Sequence, residues 1–69
     1  MDKQSIQKVF AAGFTFYRVR WNELMPIGEI WCASEHGRWS KFEGGFKSKN
    51  AAEKRLKEII QNDPKALAE

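Results

Sequence analysis

A single cysteine and a single histidine, Cys32 and His36, leave this 69-residue chain without a covalent or metal staple. One cysteine cannot form an intramolecular disulfide, and one Cys with one His cannot complete a Cys/His zinc site. Chains of this size bury little surface, so they are marginal without such help. Stability must come from apolar packing, for which Phe, Trp and Tyr make up 13% of the residues. We expect one domain over residues 1–69, with no metal and no cofactor.

The clearest local signal is a helix over residues 49–62. Its apolar residues recur at helical spacing and form one stripe, which comprises Ala52, Leu56, Ile59 and Ile60. Ser48 is suited to cap its first turn. Residues 3–12 predict a second, shorter amphipathic helix, with Asp2 as its N-cap and Gly13 at the left-handed position after its end.

Between these helices lie three segments with the side-chain alternation of strands, residues 14–21, 28–35 and 38–43. Residues 36–37, a His-Gly pair, predict a tight hairpin turn, and the two glycines at 44–45 are expected to end the sheet. Short connections make the three strands an antiparallel meander. The predicted fold class is therefore α+β, a three-stranded antiparallel sheet with helices packed on one face, in the order αβββα.

The alternation divides the predicted sheet into two faces. One face should form the core with the second helix, from Tyr17, Val19, Ile30, Cys32, Phe42, Leu56, Ile59 and Ile60. Both helices need cover for their apolar stripes, so we expect both to pack on this face. The opposite face is then open and presents Phe16, Arg18, Arg20, Trp31, Trp39 and Lys41. The tail from residue 65 to residue 69 is expected to fray.

The residues that carry most catalysis are not grouped in this sequence. His36 falls in a predicted turn and Cys32 in a predicted strand, and no pattern places them beside an acid. We therefore expect a binding protein and not an enzyme. No apolar run approaches the ~18 residues of a membrane span, and the first residues lack a secretory signal. With a lone cysteine, these features favour a cytoplasmic protein without a membrane partner.

The open face combines tryptophan with arginine, two residue types that are enriched at binding sites. Aromatic rings stack on bases, and arginine contacts phosphate or guanine. An alternative is that Trp31 and Trp39 pair across the hairpin and only stabilise the sheet. The cations predicted on this face are balanced by three acids, Glu29, Glu35 and Glu43. Such a neutral aromatic face suits a protein partner as well as a nucleic acid.

The most basic stretch of the chain, residues 47–57, carries five cations and one acid, against a net charge of +3 for the whole chain. Lys47 and Lys49 flank the start of the second predicted helix. Free N–H groups at a helix start attract anions, and ammonium groups beside them strengthen that attraction. The alternative interpretation of this charge run is a solvated helix face.

The stretch GGFKSKNAA, residues 44–52, resembles the strand-to-helix junction of the plant ethylene-response-type DNA-binding domain. Similar three-strand-plus-helix domains occur at the N-termini of phage integrases. In those families the sheet enters the DNA major groove, with Arg and Trp on its exposed face. The resemblance implies DNA contacts from the residues at corresponding positions, which are Arg18, Arg20, Trp31, Trp39 and Lys41.

The order of elements also resembles the double-stranded-RNA-binding domain. In that family the last helix begins with a Ser-Lys-Lys-type sequence that touches phosphates. Lys47, Ser48 and Lys49 are similar to it, which implies phosphate contacts at the helix start.

The sequence thus predicts a small non-enzymatic module that binds DNA or RNA through the open sheet face and the basic helix start. The predicted contact residues are Arg18, Arg20, Trp31, Trp39, Lys41, Lys47 and Lys49. The alternative is a protein-interaction module, such as a small adaptor, an inhibitor or a homodimer, that uses the same aromatic face. Salt dependence separates the two, because phosphate contacts release counterions.

Overall fold

The computed structural model describes residues 2–69. The elements are α1 (Lys3–Ala11), β1 (Thr15–Asn22), β2 (Ile27–Ala33), β3 (Trp39–Phe46), α2 (Lys49–Asn62) and β4 (Ala66–Ala68). The strands form one mixed sheet in the order β3-β2-β1-β4. The α+β class is confirmed. The prediction of three antiparallel strands in the order αβββα is wrong, because a fourth strand follows α2 and makes the order αβββαβ.

The first three strands form the expected antiparallel meander. Tyr17 of β1 lies opposite Cys32 of β2, and Cys32 lies opposite Ser40 of β3. The turn between β2 and β3 contains Gly37 at a φ of +73°, a backbone angle that glycine adopts without strain. The backbone N–H of Ser34 donates to the carbonyl of Arg38 at 2.8 Å and closes this turn.

The tail that was expected to fray instead forms β4, which pairs in parallel with β1. Asp63 ends α2 and accepts a hydrogen bond at Oδ1 from the backbone N–H of Lys65, at 2.9 Å, which turns the chain back to the sheet. Ala66 is then buried beside Tyr17 and Ile59 in the core. Alanine and leucine have little strand preference, so tertiary contacts decide the conformation of this segment.

Helix α2 begins and ends where the sequence predicts, and Ser48 caps it by accepting a hydrogen bond from the backbone N–H of Ala51 at 3.1 Å. Its apolar stripe packs on one face of the sheet, called here the α2 face. The two approach closely where Ala52 crosses Gly28, because a Cβ at Gly28 would lie only 3.2 Å from Ala52 Cβ. The core of this face contains Tyr17, Ile30, Ile59 and Ala66, with Val19, Cys32, Phe46, Leu56 and Ile60 packed around them.

Helix α1 packs on the opposite face, so the prediction that both helices share one face is wrong. Asp2 caps its start, with Oδ1 accepting from the backbone N–H of Ser5 at 2.8 Å, and Gly13 follows its end at a φ of +93°, as the sequence predicts. Ile6 is buried against Phe16 and Ala33. This second core covers one end of the face, and Phe16, expected to be open, is only 8% exposed.

Strand β3 was expected to end at the two glycines, but it continues to Phe46. Its register against β2 shifts twice, between Gly28 and Ile30 and between Ile30 and Trp31. Trp31 faces Lys41 while the neighbouring Ile30 faces Glu43, so Phe42 is an extra residue in a bulge. Phe42 was predicted to be core but is 48% exposed at the sheet edge, where its ring meets Tyr17 edge-on at 5.2 Å.

Neither helix in the described residues 2–69 is long and apolar enough to cross a membrane.

Candidate binding surface

Five of the seven predicted contact residues lie on the sheet face opposite α2, and one of them, Trp39, also packs against the core under α1. This surface, called here the Arg–Trp face, consists of Arg18, Arg20, Trp31, Trp39 and Lys41. The strand pairing brings them together, because Arg18 lies opposite Trp31, and Trp31 lies opposite Lys41. Side chains that are opposite one another in neighbouring strands point to the same side of a sheet.

Each arginine of this face stacks on a tryptophan from another strand. The guanidinium carbon of Arg18 lies 4.2 Å from the centre of the Trp39 ring, and that of Arg20 lies 5.1 Å from the Trp31 ring. Both distances are within the range of a cation–π contact. Both tryptophans are half-buried, so each pair presents a guanidinium together with part of an indole ring at the surface.

Glu29 organises the side of this face near the β1–β2 loop. Its Oε1 accepts a hydrogen bond from the indole Nε1–H of Trp31 at 3.2 Å, and its Oε2 lies 3.6 Å from Lys41 Nζ. The carboxylate therefore fixes the ring under Arg20 and neutralises the lysine. The sequence places Glu29 on this face, but the hydrogen bond to Trp31 only becomes visible in the structure.

Strand β4 adds an acid that the sequence did not assign to this surface. The backbone N–H of Glu69 donates to the carbonyl of Tyr17 at 2.9 Å, and its carboxylate lies 3.6 Å from Arg18 Nη1. Arg18 is thus stacked and paired. Arg20 forms no salt bridge with any described residue of the chain.

Two of the three acids expected on this face lie elsewhere. The bulge in β3 turns Glu43 to the α2 face, where Oε2 accepts from Arg55 Nε at 3.0 Å. This ion pair raises the pKa of Arg55, chiefly through the hydrogen bond to Glu43. Glu35 lies in the exposed β2–β3 turn. The Arg–Trp face therefore carries three cations against Glu29 and Glu69, a formal charge of +1 rather than zero.

The two remaining predicted residues, Lys47 and Lys49, are not part of this surface. Both are exposed at the start of α2, in the layer on the other side of the sheet. They lie at the sheet end where Phe46 faces Gly28, close in the chain to the capping residue Ser48. They form a basic patch that is separate from the Arg–Trp face.

The β1–β2 loop at this end presents an apolar tip that sequence reasoning missed. The tip consists of Leu24, Met25 and Ile27, and Leu24 is 95% exposed. Asn22 holds the loop by accepting hydrogen bonds at Oδ1 from the backbone N–H groups of Leu24 and Met25, at 3.0 and 3.3 Å. The signal in the sequence is a Leu-Met pair next to Pro26, in a segment whose Asn and Pro already predict a turn.

Cys32 and His36, the two residues of their kind in the chain, lie apart in the structure. No cluster of His, Cys, Asp and Glu in residues 2–69 is suited to a metal ion. Cys32 packs against the core of the α2 face, with Sγ 3.8 Å from Ser40 Oγ. His36 lies in the exposed turn, with Nε2 3.3 Å from Glu35 Oε1.

No protein-family model matches the chain, and no curated protein and no solved structure matches it. The resemblances to DNA-binding and RNA-binding domains therefore stay predictions.

Proposed function

We propose that this protein binds nucleic acid through the Arg–Trp face, with Arg18 and Arg20 as the principal contacts. The observation that carries the proposal is the stacking of each guanidinium on an indole ring, at 4.2 and 5.1 Å. Stacking orders a long side chain before a ligand arrives, so less conformational entropy is lost on binding. The planar fork of donors remains available for phosphate oxygens or for the edge of guanine.

Charge supports the same interpretation. Because Glu43 lies on the α2 face, the Arg–Trp face lacks one acid that would repel phosphate. Its formal charge is +1. Arg20, which forms no salt bridge in residues 2–69, keeps its guanidinium donors for a phosphate. Lys47 and Lys49 at the start of α2 add phosphate contacts that position the ligand but carry little sequence information.

The test is a salt titration of binding to a short labelled oligonucleotide, single-stranded and duplex, with wild type and with Arg18→Gln/Arg20→Gln. Log K falls with log salt by about 0.9 for each neutralised phosphate of B-DNA, so the double variant should flatten the duplex slope by about 1.8. The double variant Lys54→Gln/Lys57→Gln removes the same charge from α2 and should keep most of the slope. Equal slopes for wild type and the arginine variant would contradict the proposal.

A second function, binding of a protein partner, is favoured by the apolar tip. Exposed apolar residues beside tryptophan and arginine are typical of protein–protein hot spots. In this case Leu24→Ser/Met25→Ser should weaken binding of the protein partner and leave the oligonucleotide affinity unchanged. Binding of the protein partner should also depend little on salt. Light scattering after size exclusion at several concentrations would show whether that partner is a second copy of the chain.

A further inference from the structure

A cleft outside the Arg–Trp face separates helix α1 from the turn between β2 and β3. It has a volume of about 410 Å³ and opens to solvent. Its lining side chains are Lys3 and Gln7 from α1, and His36 and Arg38 from the turn. Two separate elements therefore bring two permanent cations and a histidine to one concave place.

The walls of this cleft are held together by a contact at Gly37. A side chain there would overlap Lys3 Cγ and lie within 2.9 Å of the Lys3 carbonyl oxygen, so only glycine lets α1 approach the turn. The turn itself is fixed by the N–H of Gly37, which donates to the carbonyl of Ser34 at 2.9 Å. This close contact fixes the start of α1, with Lys3, against the turn that carries Arg38.

The acids nearest in the chain to the two cations, Asp2 and Glu35, contact other groups. Lys3 and Arg38 form no salt bridge with any residue between 2 and 69. Glu35 contacts His36, with 3.3 Å between Oε1 and Nε2, and forms no salt bridge with Lys3 or Arg38. Asp2 is engaged in capping α1 through Ser5. Two free cations and the amide donors of Gln7 form a site whose chemistry suits a phosphate group.

We propose that this cleft binds a phosphate group, and that in the complex this is a backbone phosphate of the nucleic acid held on the Arg–Trp face. The second part rests on the proposed function. Arg38 directly precedes Trp39, whose ring lies under Arg18, so the backbone connects the cleft directly to the Arg–Trp face. The phosphate contact extends the binding surface past the end that α1 covers.

Binding of phosphate to the cleft is tested first by titration with inorganic phosphate at constant ionic strength, with chloride as the control anion. The NMR signals of the backbone amides are recorded. Saturable shifts at Lys3, Gln7, Gly37 and Arg38 are expected in the wild type. They should be lost in Lys3→Gln/Arg38→Gln and kept in Lys54→Gln/Lys57→Gln, which carries the same change of charge on α2. Unchanged overall signal dispersion in each variant confirms that it is folded.

The source of the phosphate is tested with the same variants in the oligonucleotide salt titration. Loss of two contacts with duplex phosphates should flatten the slope by about 1.8 for Lys3→Gln/Arg38→Gln. Saturable phosphate shifts with an unchanged slope would overturn the nucleic-acid role of the cleft and leave a site for free phosphate. An absence of both effects would overturn the whole inference. If the wild type binds no oligonucleotide, the proposed function fails, and the phosphate titration still decides the chemistry of the cleft.

Discussion

Arg55 and Arg20, on opposite sides of the sheet, are held by different contacts. On the α2 face, Arg55 lies between two carboxylates, with Nε 3.0 Å from Glu43 Oε2 and Nη1 3.3 Å from Glu58 Oε2. On the Arg–Trp face, Arg20 lies over Trp31 and has no acidic partner in the described chain. The ion pair of Arg55 with Glu43 connects α2 to the edge strand β3. The guanidinium of Arg20, stacked on Trp31, keeps its N–H donors free. The difference separates an arginine that holds α2 to the sheet from an arginine on the face for which we propose binding.

The largest expected difference between the faces is in stability. Ile30 on the α2 face is fully buried, so Ile30→Ala should lower the free energy of unfolding by about 2–5 kcal/mol through lost contacts and a cavity. Arg20→Ala removes an exposed side chain and one cation–π contact, and should cost about 1 kcal/mol or less. Urea denaturation of both variants measures the contrast. Comparable losses would mean that the Arg–Trp face is also structural.

A smaller effect separates Glu43 from Glu29, one glutamate on each side of the sheet that pairs with a cation. Glu43→Gln weakens a partly exposed ion pair with Arg55, so it should lower stability by about 0.2–1 kcal/mol and leave oligonucleotide affinity nearly unchanged. Glu29→Gln removes an acid beside Lys41 and should strengthen oligonucleotide binding, with little change in stability. Thermal denaturation and fluorescence anisotropy measure the two quantities. Weaker oligonucleotide binding by Glu29→Gln would show that its carboxylate is needed to orient Trp31.

The smallest effect concerns the protonation of Tyr17, the single tyrosine of the chain. Burial on the α2 face raises its pKa above the usual value of 10.0, with a further contribution from Cys32. The neutral phenol therefore contributes stability that is fully present below pH 10.0 and is lost as pH rises through the folded pKa. Comparing alkaline unfolding of wild type and Tyr17→Phe removes the shared effect of the lysines. An identical loss of stability in both would contradict this assignment.

Much of the local structure could be predicted from the sequence because it depends on local chemistry. The bounds of α2 follow from its apolar stripe and from the Ser48 cap, and both ends match the structure. The positive φ of Gly13 and Gly37 follows from their places after a helix and in a hairpin. The features that were missed depend on contacts distant in the chain. Strand β4 has no propensity of its own and forms because Ala66 fills the core beside Ile59.

The candidate site was predicted in its composition but not in its surroundings. Alternation placed Arg18, Trp31 and Lys41 on one face, and the strand register agrees. The extra residue in β3, Phe42, reverses the alternation of side chains between the two faces. Glu43 was therefore assigned to the wrong face. No pattern in the sequence announces such a bulge. The cleft beside α1 could not be predicted because its lining residues come from two elements that the sequence did not place together.

The most direct test of the account uses the three tryptophans as reporters of the two faces. Trp31 and Trp39 lie on the Arg–Trp face, whereas Trp21 lies on the α2 face, where its Cε3 would be 3.3 Å from a Cβ at Gly28. The wild-type protein is titrated with an oligonucleotide while the NMR signals of the indole N–H groups are recorded. These signals report on both faces in one sample. The account predicts saturable shifts for Trp31 and Trp39 and a stationary signal for Trp21. Stationary Trp31 and Trp39 signals while α2 amides shift would contradict it and assign binding to the helix start.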